Sequence, residues 1–314
     1  MNRQAITRRE SIKKLLQISG GLALTGVVPW PFHQTLAAWA QPANKNFIVE
    51  GIGREKNYSV KALTRKVFDA GGGMGRFVSR QDVVVIKPNI SWARPPHLAA
   101  TTNPEVLEAV IELCQEAGAK KVRIADHTIN DARRCFAITG AGAVAQKTGA
   151  DLIFPYPSQM REMKLQGQRL NVWPVFVPLV EADKIINLPV AKVHVLSDLT
   201  LGMKNWIGAV GGRRSALHQD IHQTIVDLAQ FFKPTLTLVD ATRVMTANGP
   251  SGGNPADVSV KNRLILSNDP VAADAKAATL FGFRPEDIGF IRLAHKWGLG
   301  TYELQNLNQQ QVVI

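Results

Sequence analysis

The segment Asp82–Lys87 reads D-V-V-V-I-K, four branched apolar residues in a row between charged ends. It is too short for a helix, and a strand with one face in water would alternate instead. A strand buried on both faces accommodates the run. That demands a sheet covered by helices on each side, and it favours parallel pairing. The residues after it support the same architecture. Asn103 is a good helix N-cap, Pro104 suits the first helical turn, and Val106, Val110, Leu113 and Cys114 recur on one face until Gly118. Lys121–Asp126 (K-V-R-I-A-D) then reads as the next strand. This β-α-β unit predicts a single α/β domain with a mostly parallel, doubly wound sheet over residues 41–314.

The remaining pattern is consistent with that class. Strands are expected at 47–52, 152–154, 184–188, 236–240 and 264–267, and helices at 60–70, 132–148, 217–232, 270–281 and 285–297. A small hairpin is expected with arms 163–165 and 169–172. Gly71-Gly72-Gly73-Met74-Gly75 follows a helical pattern and lacks a Gly-Lys-Ser/Thr ending, so it reads as a helix end and turn instead of a phosphate loop.

Composition narrows the function classes. Two cysteines, Cys114 and Cys135, are too few for a disulfide scaffold or an iron–sulfur cluster. The net charge is +12, and the first 40 residues hold only five of the 37 basic residues, so the excess persists in the rest of the chain. It suits anionic small molecules. No dense Lys/Arg run with interleaved aromatics points to nucleic acid. Thr7-Arg8-Arg9-Glu10-Ser11-Ile12-Lys13 resembles the twin-arginine export motif, with Ser11 where Phe is usual. An apolar stretch, Leu15–Val28, and the small residues of Ala38-Trp39-Ala40 come next. Residues 1–40 are therefore expected to be a signal read by the twin-arginine translocase, and the mature chain to be periplasmic. An uncleaved, membrane-anchoring signal is the alternative. Cys114 and Cys135 are expected to be separate core residues, although the destination would permit a disulfide.

In open α/β sheets ligands sit beyond the C-terminal ends of the strands. Lys87 and Asn89, Asp126, then Lys192 and His194, and finally Asp240 are expected to follow successive strands and line one crevice. Asn205 and Asn248 lie in Gly-containing segments that supply further ligand contacts. Lys204 stands among Gly202, Met203, Trp206 and Ile207. Desolvation there lowers an amine toward a base or nucleophile; it also suits a charged clamp, or a lysine that snorkels to water. His218 and His222, four apart on the predicted helix, have the spacing to share a metal, with His194 or Asp240 as third ligand. Alternatively only His218 faces the crevice, as a general acid or base, and His222 packs. We favour the second arrangement.

Lys87-Pro88-Asn89, Thr102-Asn103-Pro104-Glu105, Asn187-Leu188-Pro189 with Lys192 and His194, Lys204-Asn205, and His218 resemble the domain of unknown function 362 family. Asp240, Met245, Asn248-Gly249-Pro250, Gly253, Asn268-Asp269-Pro270 and Ala273-Asp274 extend the likeness. The resemblance implies an α/β domain. Many members append a ferredoxin-like cluster domain, whose cysteines this chain lacks. A more distant similarity to the nickel-pincer lactate racemases points to Lys204, His194 and His218. The expected function is acid–base chemistry on an anionic small molecule, with Lys204, His194 and His218 as catalytic groups and a metal or organic cofactor left open. A periplasmic ligand-binding or accessory protein is the alternative.

Overall fold

The computed structural model describes residues 46–314 except Lys56. The expected export signal lies outside the described residues. Strand β1 (Phe47–Ile52) leads into helix α1 (Val60–Ala70), whose first turn is capped by the Ser59 hydroxyl accepting from Ala62 N. Strand β2 (Val83–Pro88), helix α2 (Pro104–Glu116) and strand β3 (Lys121–Ala125) form the β-α-β unit, with the Asn103 side chain capping α2. The helix expected at 132–148 is two, α3 (Ala132–Ile138) and α4 (Ala141–Thr148). Gly140 divides them in a left-handed conformation, φ 82°. Strand β4 (Asp151–Ile153) comes after them.

The small hairpin pairs β5 (Met160–Lys164) with β6 (Val172–Phe176), so its connection is longer than the Gln166-Gly167-Gln168 turn expected. The reason is tertiary. The buried Asp227 carboxylate accepts from the amides of Gln168, Arg169 and Leu170 and shapes the loop from outside. Next come β7 (Lys184–Leu188), β8 (Val190–His194) and β9 (Asp198–Thr200). Helix α5 runs Ile221–Phe232, four residues later than expected. Asp220 caps it through Gln223 N, and Arg214–His218 is a separate 3-10 turn. Strands β10 (Leu236–Met245) and β11 (Val258–Ser267), helices α6 (Pro270–Thr279) and α7 (Gly289–Lys296), and strand β12 (Asn308–Val313) complete the chain.

The main sheet has the order β12-β1-β11-β10-β7-β2-β3-β4, with β8 on β10 and β9 on β8. Pairing is parallel from β10 through β4, between β12 and β1, and between β8 and β10; β11 and β9 pair antiparallel. Val84 and Ile86 of β2 pack with residues of α1, α2 and α4, whereas Val85 packs on the opposite face with those of α5, α6 and α7. All three are fully buried, each contributing about 1.5–3 kcal/mol of apolar transfer. The D-V-V-V-I-K run is thus the middle of a doubly covered sheet. Strand alternation puts Lys87 on the Val85 face, at the carboxyl end of β2. Cys114 and Cys135 are buried and unpaired.

Candidate functional site

The carboxyl ends of β2, β3 and β7 meet the Leu201–Ala209 segment in a continuous polar network. Lys87 Nζ donates to Asp126 Oδ1 at 2.6 Å, Pro88 O at 2.8 Å and Asn205 Oδ1 at 3.0 Å. Three donors meet three acceptors, and the ammonium is satisfied. Asp126 Oδ2 also accepts from Ile90 N. Burial pushes the Lys87 amine down and the Asp126 charge pulls it back up. A β-carbon at Gly208 would overlap Asp126 Oδ1 and Lys87 Nζ, so the ion pair fits only beneath a bare backbone. Asn205 Nδ2 donates to Lys87 O and Asn187 Oδ1, and Asn187 Nδ2 donates to Gly202 O. Asp274 on α6 accepts from Gly202 N at 2.6 Å and Met203 N at 2.9 Å. Burial holds its carboxyl up at about 7 against those two amide bonds.

These contacts fix the backbone on either side of Lys204 and leave its side chain alone. Lys204 is 6% exposed, and among the described residues its amine has no hydrogen bond or ion pair. Burial pulls that amine down to about 7. Lys192 on β8 is fully buried, donates to Ala100 O, and is likewise lowered to about 7 by burial and by the Lys204 charge. The His194 and His218 rings stack with centroids 6.1 Å apart and planes 10° apart. Burial lowers His194 to about 3, aided by repulsion from Lys204, His218 and Lys192 whenever these are protonated. Burial also lowers His218.

Hydrogen bonding assigns the tautomers. His194 Nδ1 accepts from Leu196 N at 3.1 Å, so the neutral ring carries its proton on Nε2. His218 Nδ1 faces Arg214 O at 3.2 Å, an acceptor only, so that nitrogen donates and Nε2 keeps a lone pair. One stacked ring therefore offers a donor and the other an acceptor, beside an amine that titrates near neutrality. Such a set can move a proton on a bound anion. The flanking Arg214 is tied to His127 O and Thr128 O at 2.6 and 2.7 Å.

Several expectations need correction. Lys192 and His194 lie on a strand instead of following one, because Pro189 separates β7 from a further strand, β8, whose ladder with β10 and β9 no periodicity announced. Asp240 does not join the lysines. Its carboxylate accepts from Asn103 N, Thr242 N and Thr242 Oγ1, and after burial it is the main influence that drives the Tyr58 phenol up to about 12. Asn89 serves the backbone: its amide donates to Thr102 Oγ1, while its side-chain oxygen accepts from Ser91 N. Asn205 holds Lys87 and Asn187. Asn248 is exposed, at φ 54°, and donates to Asp257. Its loop still touches the site's wall, since a β-carbon at Gly249 would overlap Val193 O, between Lys192 and His194.

The His218–His222 metal pair is not built. The two stand on different elements, and the His222 ring stacks 6.2 Å from Phe290 with its Nδ1 buried and unpartnered. Among the described residues no three His, Cys, Asp or Glu side chains gather as a metal site. Of the residues that position the lysine turn, Asn187 stands at the end of an expected strand, and Asp274 stands out in the sequence through its motif. The signal that marks Asp274 is an acid among alanines in the first half of its helix.

The family model described as domain of unknown function 362 matches residues 84–279. A thylakoid-associated protein of Synechocystis sp. is 28% identical over 249 residues, covering 77% of this chain and 76% of that relative. The solved lactate racemase apoprotein from Thermoanaerobacterium thermosaccharolyticum overlays with a TM-score of 0.45 at 12% identity, over 74% of this chain and 56% of that one. The chain therefore spans just over half the length of that enzyme.

Proposed function

Since the chain belongs to the domain of unknown function 362 family, which prescribes no activity, we propose from the site itself that the protein binds an anionic small molecule and performs acid–base chemistry on it. One observation carries this reading: buried Lys204, Lys192 and His194 meet the half-buried His218 in one cluster, and the nearby carboxylate, Asp126, is already committed to Lys87. Buried cations are costly unless compensated, and a ligand anion supplies the compensation. Bound there, it would meet Lys204 as base or nucleophile, His218 Nε2 as acceptor and the His194 Nε2–H as donor.

Calorimetric titration of the purified chain with small carboxylates and inorganic phosphate tests the reading. Binding should weaken about tenfold or more in Lys204→Met and in Lys192→Met, the loss expected of a charge-assisted contact. Equal affinity in wild type and both variants would remove the cluster from the binding site. We also propose export by the twin-arginine route, on the strength of Arg8-Arg9 and the apolar stretch after them. Replacing both arginines with lysine should leave the precursor in the cytoplasm. The relative's name speaks of thylakoid association and not of catalysis, which favours as second reading a ligand-binding or accessory protein using the same cluster. Turnover of a bound anion separates the two.

A further inference from the structure

Lys87 shows what a lysine looks like in this fold when its charge is structural: three acceptors surround one nitrogen. Lys204 is presented differently. Its backbone is anchored through Gly202, Met203 and Asn205, while its nitrogen stays open. A second amine, Lys192, acts on the same cluster with one donor spent on Ala100 O and two to spare. A desolvated lysine beside another cation keeps a free lone pair, which is the condition for nucleophilic attack on a carbonyl carbon. Two hydroxyls add to the picture. Thr200 pairs with Lys192 across the β8–β9 ladder, which places both side chains on one face. Its Oγ1 is buried without a partner, as is that of Thr101, next to the carbonyl that Lys192 holds. Orphaned hydroxyls of this kind fit the oxygens of a small polar ligand.

We propose that Lys204 forms an imine with the carbonyl carbon of a small oxo-carboxylate, of the 2-oxo acid class, whose carboxylate is held by Lys192. This rests on the anion-binding reading above and narrows its substrate. The neutral Lys204 Nζ attacks the carbonyl carbon, a C–N bond forms, and the π pair moves onto oxygen. His218 Nε2 takes a proton from the nitrogen and returns it to that oxygen, giving a carbinolamine. Protonation of the hydroxyl through His218, with a proton drawn from solvent, lets the C–O bond break. Water leaves, and the nitrogen lone pair closes the C=N bond. The sum is amine, carbonyl compound and one proton in, protonated imine and water out, with no oxidant or reductant.

The test is reductive trapping on the full chain. Pyruvate and sodium cyanoborohydride are added, and the sites carrying a carboxyethyl mark are mapped by peptide mass spectrometry. The mark should appear on Lys204 at least about tenfold above the exposed Lys147, and fall about tenfold in Lys192→Met, the worth of one charge contact. In a folded Lys204→Arg variant no such site should remain. Should that variant fail to fold, the wild-type map alone decides, since a mark no stronger on Lys204 than on Lys147 overturns the proposal. Calorimetry with propionate, a carboxylate without a carbonyl to attack, reads the anion site separately. Propionate binding without a Lys204 mark sinks the imine and leaves the anion site standing; loss of both sinks both.

Discussion

Lys87 and Lys204 are both buried lysines, and they differ in how their amines are answered. The first is enclosed by Asp126, Asn205 and a backbone carbonyl, whereas the second has no partner among the described residues. Burial costs each of them the hydration of a charge. At Lys87 the fold offsets part of that cost from its own atoms, through Asp126, so the residue is part of the architecture. At Lys204 it is left outstanding, and the amine responds by titrating near 7. The difference teaches that burial alone does not single out a candidate lysine; an uncompensated charge held on a well-anchored backbone does.

The widest gap between the two should show in stability. Asp126→Ala removes the counter-charge of Lys87 and leaves its amine only the Pro88 and Asn205 oxygens; it is expected to cost about 3–5 kcal/mol in chemical denaturation. Lys204→Met removes an uncompensated amine and should leave stability at pH 7 unchanged or higher. A matching loss in both variants would erase the distinction. Somewhat smaller is the effect of Asp274→Ala, which frees the Gly202 and Met203 amides. It should cost about 2–3 kcal/mol and weaken anion binding without touching the ligand, measured by denaturation and calorimetry on the same preparations.

The pH dependence sharpens the comparison further. Lys204 titrates near 7 in the folded chain against 10.5 for an ordinary lysine, so between those values the unfolded chain binds more protons and stability rises with pH. The advantage of Lys204→Met over wild type should therefore be largest below pH 7 and shrink toward pH 10.5. His194 works at the acid end. Its folded value near 3 lies below the ordinary 6.5, so stability should fall as pH drops through that window, and His194→Leu should flatten the slope. The smallest effect is expected from His222→Leu, whose ring packs on Phe290. It should change stability by no more than about 1 kcal/mol and leave anion affinity intact, while His218→Leu lowers it.

The sequence by itself determined whatever is decided by neighbours along the chain. The D-V-V-V-I-K run can exist only between two covered faces, Asn103 and Pro104 can only begin a helix cleanly, and the glycines after Ala70 can only turn the chain. It also placed lysines and histidines near the strand ends, because polar residues interrupting apolar runs have nowhere else to go. Tertiary structure decided which of them is answered. Lys87 and Asp126 lie 39 residues apart, and Asn205 reaches Lys87 across 118. Asp240 turned to accept from the backbone amide of Asn103, ahead of α2, and His222 turned to Phe290, through contacts from elements far along the chain. Periodicity reports the face on which a side chain stands. Only the packed strands and helices settle what stands opposite it, and for a buried charge that partner decides whether it supports the fold or is left free to bind.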